Sequence, residues 1–210
     1  MDQARYIAIE GPIGVGKTSL AGRLAEVIGA SVLREVTEEN PFLANFYADS
    51  DRYAFQTQLF FLLSRYRQQL DLIQLDLFHG GIVSDYIFAK DRIFAYANLD
   101  ADEIVLYEEI YSLLRTRIPS PDLVVFLQAG TDVLIDRIQN RRRDFERSIK
   151  PEYLELINEA YNRYFFRYSE TPLLIVNTDS MDFVHRKEDF DHLVREIVNL
   201  KQGTHIYVPR

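Results

Sequence analysis

Residues Gly11-Pro12-Ile13-Gly14-Val15-Gly16-Lys17-Thr18 spell G-x-x-x-x-G-K-[ST], and their flanks decide what that pattern means. Tyr6 to Ile9 ahead of it read as a short apolar strand, and Thr18 to Ile28 after it read as a helix. Strand, glycine-rich turn and helix in that order make a phosphate-binding P-loop. Glycine lets backbone N–H groups converge on one anion, and the helix N-terminus adds partial positive charge. Gly11, Ile13, Gly14, Val15, Gly16, Lys17, Thr18 and Ser19 are the expected cradle of a nucleoside triphosphate. Lys17 would reach the outer phosphates, and the Thr18 hydroxyl would hold Mg2+.

The rest of the chain repeats the alternation. Apolar strands are expected at Tyr6–Glu10, Ser31–Glu35, Gly81–Ser84, Leu123–Leu127 and Leu173–Val176. Helical patterns lie between and after them, at Asp51–Gln74, Glu103–Arg117, Thr131–Arg141 (with Thr131 as N-cap), Glu152–Tyr168 and Lys187–Leu200. This is an α/β pattern with a parallel sheet covered on both faces. No repeat, linker or low-complexity tract interrupts it, so residues 1–210 read as one domain. Ligands of such sheets sit at the C-terminal strand ends, which is where the P-loop, Glu35 and Asp85 fall.

The totals narrow the function class. The formal net charge of −8 argues against a general nucleic-acid or acidic-membrane binder. The chain has no cysteine, which excludes disulfides and thiolate metal sites and agrees with a reducing compartment. The first strand starts within a few residues of Met1, so no signal peptide is expected, and runs such as Leu123 to Leu127 are too short to span a bilayer. A cytoplasmic protein is expected. His79, His185, His192 and His205 show no metal-ligand spacing.

A P-loop alone fixes no reaction. The N-K-x-D and D-x-x-G sequences of a GTPase are absent. Ile82-Val83-Ser84-Asp85 would pass for the acidic strand of a motor ATPase, but no arginine-finger module accompanies it. Arg137, Arg141, Arg142 and Arg143 favour a kinase, since Arg137 and Arg141 share a helix face. Such a cluster suits a lid over a transferring phosphoryl group, at about residues 137–150. It equally suits a solvated helix C-terminus.

A longer set of residues is more specific. Glu35-Val-Thr-Glu-Glu-Asn40-Pro41-Phe42-Leu43, Phe46-Tyr47, Tyr53-Ala-Phe-Gln-Thr-Gln58, Phe61-Leu-Leu-Ser-Arg65, Asp91-Arg92-Ile93-Phe94-Ala95, the lid with Arg137, Arg141, Arg143 and Glu146, and Glu152-Tyr153-Leu154 occur in this order. Together they resemble the deoxyribonucleoside kinase family, whose members act on deoxyadenosine, deoxycytidine or deoxyguanosine. The resemblance runs to Asp182-Phe183 and so covers nearly the whole chain. It implies a five-stranded P-loop kinase fold, ATP with Mg2+, transfer to a nucleoside 5′-hydroxyl in nucleotide salvage, and a homodimer. Faces such as Phe55–Leu63 and Tyr161–Phe166 would serve a dimer or the domain core.

The resemblance also assigns roles. Glu35 becomes the general base, with Lys17, Arg137, Arg141, Arg143 and Asp85 around the phosphoryl group. Thr18 would hold Mg2+, with Glu35 or Asp85 acting through water. Arg141 and the Asp182-Phe183 loop fall on the ATP side. Tyr47 and Glu146 match ribose contacts. Phe94 matches the aromatic that stacks on the base, or is a core phenylalanine. Gln58, Arg65 and Asp91 match base readers. Gln58 and Arg65 are seven apart on one helix and share a face. A carboxylate accepting from an exocyclic amino group favours adenine or cytosine over thymine. Guanine fits if Arg65 or water meets its carbonyl, and the expected order puts deoxyadenosine first.

Two departures from the family pattern stand out. Val36 replaces the usual proline after the glutamate, and Tyr86-Ile87 replace the Arg-Ser that usually follows the acidic residue. Lys90 would supply the missing positive charge, or is a plain surface lysine. The alternatives are a nucleoside monophosphate kinase of thymidylate type and an ATP-binding regulatory module without transfer.

Overall fold

The computed structural model describes residues 5–36, 39–75, 81–141 and 149–209. The elements run β1 (Arg5–Glu10), α1 (Lys17–Ile28), β2 (Ser31–Leu33), α2 (Leu43–Ala48), α3 (Ser50–Leu75), β3 (Gly81–Ser84), α4 (Lys90–Asn98) and α5 (Ala101–Arg115), then β4 (Leu123–Gln128), α6 (Thr131–Arg141), α7 (Pro151–Phe166), β5 (Leu173–Asn177), α8 (Lys187–Asn199) and β6 (Thr204–Tyr207). The strands form one sheet in the order β2-β3-β1-β4-β5-β6. Every pairing in it is parallel. The five-stranded expectation is short by β6, an exposed edge strand on β5.

Alternation along the strands builds two cores. Ile7, Ile9, Val125 and Leu127 face α1, α6 and α8, packing with Leu20, Leu24, Leu134, Phe190, Leu193 and Ile197. Ala8, Val124 and Phe126 face the other way, against Ile157, Tyr161 and Phe165 of α7 and Ile93 of α4. A strand buried on both faces loses the polar half of its alternation, which is why β4 reads Leu-Val-Val-Phe-Leu. A third cluster joins α3, α4 and α5 through Leu62, Ala95, Tyr107 and Tyr111, with Phe88 just ahead of α4.

Element boundaries follow local chemistry. α5 starts at Ala101, two residues before the expected Glu103. There Asp100 accepts from the N–H groups of Asp102 and Glu103 while the Glu103 side chain accepts from the Asp100 N–H. Thr131 is the first residue of α6 rather than its cap, because Leu134 N–H donates to the Gly130 carbonyl at 3.1 Å. The short α2 and α4 were not among the expected helices. No described helix is long and apolar enough to cross a membrane.

The topology fixes the site. From β1 the chain crosses to β2 and β3 on one side and then to β4 on the other, so β1 lies at the switch point of the sheet. The C-terminal ends of β1, β2 and β3 bring the P-loop, Glu35 and Asp85 to one rim.

Candidate active site

The P-loop leaves β1 through Gly11 and joins α1 at Lys17. Gly14 and Gly16 have φ of +86° and +107°, a region that favours glycine. No side chain caps the start of α1, so none competes for the unpaired N–H groups of its first turn. Lys17 Nζ donates to the carbonyls of Gly11 and Pro12 at 2.7 and 3.0 Å. Burial and then Lys90 press its pKa down to about 8, against Glu10, Glu35 and Asp85, which raise it. The Thr18 hydroxyl donates to Asp85 Oδ2 at 2.6 Å. Ile13, Gly14, Lys17 and Thr18 line a cavity of about 370 Å³, whereas Val15 is core. The Gly11 N–H departs from the expected cradle: it donates to Glu10 Oε1 at 3.0 Å, away from the anion site.

Glu35 lines the same cavity as this nest. Its backbone N–H donates to Asp85 Oδ1 at 2.7 Å, which ties the end of β2 to the end of β3. Lys90 Nζ donates to Glu35 Oε2 at 2.5 Å, and Arg65 Nε and Nη2 donate to Oε1 at 2.9 and 2.6 Å. Burial pushes the Glu35 carboxyl up, but Lys90 and Arg65 outweigh it and hold the pKa at about 2. Lys90 is only 7% exposed, so the surface-lysine alternative fails and its charge is spent on Glu35.

Tyr47, Thr57, Gln58, Phe61, Arg65, Phe94 and Tyr153 also line the cavity. Phe94 is half-buried, edge-on to Tyr161, with Lys90 Nζ 5.7 Å from its ring centre. Tyr47 packs edge-on against Tyr153. Gln58 Oε1 and Thr57 Oγ1 are buried with no protein partner among the described residues. Asp91 differs from the expectation of direct base contact. It is fully buried behind Arg65, whose Nη1 donates to Asp91 Oδ2 at 2.7 Å. Burial outweighs the pull of Arg65 and raises the Asp91 carboxyl to about 6.

The donor-side expectations need two corrections. Arg137 does not face the cavity: its guanidinium donates to the carbonyls of Thr178 and Met181 at 2.7 and 3.2 Å and to Thr178 Oγ1 at 3.0 Å. The loop carbonyls after β5 draw it there. The Phe183 ring is buried, and a Cβ on Gly16 would lie 2.8 Å from its Cζ, so Phe183 packs on the P-loop. Asp182 accepts from the backbone and ring of His185, both at 3.0 Å. Arg141 closes α6, while Arg142, Arg143, Glu146 and His79 lie outside the described residues.

Sequence reasoning missed Thr57 and Glu10. Thr57 sat inside a quoted motif as a spacer. Glu10 gave one signal, an acidic residue ending an apolar strand directly before the P-loop.

Oxygen ligands suit Mg2+, and the Thr18 hydroxyl beside the Asp85 carboxylate supplies two of them. No group of three or more His, Cys, Asp or Glu poised for a metal occurs among the described residues. That fits an ion held largely by substrate phosphates and water.

A phosphate nest, a carboxylate and several aromatic rings lining one cavity, with the family profile, define a P-loop phosphotransferase with an alcohol acceptor. The deoxynucleoside kinase profile matches residues 7–201, and the chain belongs to that family. A deoxyguanosine kinase of Bacillus subtilis is 36% identical, covering 95% of this chain and 99% of its own. A deoxyadenosine kinase of Lactobacillus acidophilus is 31% identical, covering 93% and 99%. The structure of a deoxyadenosine kinase from M. mycoides with bound dATP matches at a TM-score of 0.81, with 25% identity over 93% of this chain and all of that one. Family membership implies ATP as the phosphoryl donor.

Proposed function

We propose that this enzyme transfers the γ-phosphoryl group of ATP to the 5′-hydroxyl of purine deoxyribonucleosides in nucleotide salvage, with deoxyguanosine the preferred acceptor. One observation carries the reading: a single cavity is lined by Lys17 and Thr18 of the phosphate loop, by Glu35, and by Phe94, Gln58 and Arg65. A deoxynucleoside laid along it points its 5′-oxygen at the phosphate nest and its base at the aromatic rings. Glu35 accepts the hydrogen bond of the 5′-hydroxyl. The new O–P bond forms as the bond from Pγ to the leaving ADP oxygen breaks, and the hydroxyl proton passes to Glu35. A carboxylate of such low proton affinity suits a loose transition state, in which the nucleophile needs orientation more than early deprotonation. Thr18 and Asp85 would hold Mg2+, directly or through water, and the ion would neutralise charge on the transferred group.

The preference follows from what faces the base. Three of the five guanidinium N–H groups of Arg65 go to Glu35 and Asp91, leaving two to meet an acceptor. Arginine pairs with the carbonyl and ring nitrogen of guanine, and the Gln58 amide takes the adjacent ring N–H. With Asp91 buried against Arg65, its carboxylate is not presented to an exocyclic amino group. The order thus moves from deoxyadenosine to deoxyguanosine, in line with the name of the 36% identical relative. Asp91 acts through Arg65, Tyr47 on the sugar and Phe94 on the base.

The reading extends to a homodimer in the cytoplasm. Tyr161 and Phe165 are core, but Leu63 of α3 and Val105, Leu106 and Leu113 of α5 are exposed on adjoining helices, and a second copy would cover them.

The test is a coupled assay with ATP, Mg2+ and each deoxynucleoside, identifying the product by mass. Formation of 5′-monophosphate in the order deoxyguanosine, deoxyadenosine, thymidine is expected. Turnover confined to nucleoside monophosphates, or thymidine as best acceptor, would overturn it.

A further inference from the structure

Glu10 is fully buried, lines no part of the cavity and has no role in the transfer as described. Its carboxylate nevertheless joins three elements. Oε1 accepts from the Gly11 N–H at 3.0 Å and from the Tyr161 hydroxyl of α7 at 2.9 Å, and Oε2 accepts from the Ile87 N–H at 2.9 Å. All three partners donate, which suits an ionised carboxylate, an acceptor only. Burial outweighs the pull of Lys90, Lys17 and the two backbone N–H groups and leaves this carboxyl raised above its ordinary value.

The places of these partners give the contact meaning. Gly11 opens the loop that cradles the donor phosphates. Ile87 stands in the stretch after β3 that carries Asp85 and Lys90, and the Lys90 N–H donates to the Ile87 carbonyl at 3.0 Å to begin α4. One buried carboxyl group therefore ties the start of the phosphate loop to the stretch that carries Asp85 and Lys90.

We propose that Glu10 is a positioning residue that sets the spacing between the phosphate loop and the Asp85 to Lys90 stretch, and through it the approach of the acceptor hydroxyl to the phosphoryl group. The inference rests on the reading of the cavity as a transfer site. The plain alternative is a buried polar group satisfied by its neighbours with no bearing on turnover. The two differ in what they do to binding and to transfer. Each half of the site stays intact without Glu10, so each ligand binds alone nearly as before; only their mutual placement suffers. A misplacement of about 1 Å lowers transfer by roughly 10²-fold.

Glu10→Gln keeps the volume but offers one acceptor oxygen and an NH₂ group to three donors. Expected are a kcat lower by about 10- to 100-fold and dissociation constants for an ATP analogue and for deoxyguanosine, each titrated alone, within about threefold of wild type. Tyr161→Phe removes the α7 contact and leaves both backbone contacts, so its kcat stays within about threefold even where its Tm falls. Glu10→Asp retains the charge but withdraws it by one methylene, and its kcat falls between wild type and the glutamine variant; it replaces that variant in the comparison should the latter not fold. Wild-type kcat in the Glu10 variants, affinities lost in proportion to kcat, or an equal kcat loss in Tyr161→Phe would overturn the inference alone. A wild-type enzyme that phosphorylates no deoxynucleoside would remove the transfer reading as well.

Discussion

Glu35 keeps its charge although its side chain is largely buried, because Lys90 and Arg65 meet both of its oxygens. That has a pH signature. With a folded pKa of about 2 against an ordinary value of 4.5, Glu35 binds fewer protons folded than unfolded between these limits, so its stabilisation is complete above about 4.5 and is lost as pH falls toward 2. Urea midpoints of wild type and Glu35→Gln should differ most near neutrality and converge on acidification through that window. A gap that stays constant would mean that the clamp is weak. The same cluster shows how far residues can be read without coordinates. Glu35, Asp85, Thr18 and Lys17 were legible because a P-loop and strand ends dictate where they fall. The partners of Arg137, Asp91 and Glu10 were not, because a long side chain pairs with whatever the tertiary packing brings near it. Arg137 found loop carbonyls after β5, and Asp91 found Arg65 on a different helix.

The buried strands announced themselves as apolar runs, and all five expected ones exist within two residues of their expected ends. β6 carried no such signal: Thr204-His205-Ile206 are exposed, and only hydrogen bonding to β5 makes them a strand. α2 has six residues and α4 nine, too short for periodicity to stand out, and much of what buries α4 is polar, as with Lys90 and Asp91. Because β6 covers the edge of β5 far from β1, deletion of residues 203–210 should lower Tm by several degrees and leave kcat within about twofold. A large fall in kcat with unchanged Tm would show that the edge strand reaches the site.

At the scale of the molecule, the α/β domain leaves apolar side chains outside its three buried clusters, with Leu113 74% exposed on α5. A paired assembly through α3 and α5 predicts that Leu106→Glu with Leu113→Glu yields a species of half the mass by light scattering. A wild type that is already monomeric, or a double variant that remains paired, would place the contact elsewhere or remove it. In a chain of net charge −8, Lys17, Arg65 and Lys90 line the one cavity that also holds Glu35 and Asp85.

All six strands point the same way, so the rim where they begin is remote from the chemistry. The turn from α5 into β4 lies on that rim, where Ser120 is exposed and touched by Arg115. A reporter domain spliced in beside Ser120 would ride behind the catalytic surface, which makes this turn the natural graft point for tethering the enzyme to a support or a sensor.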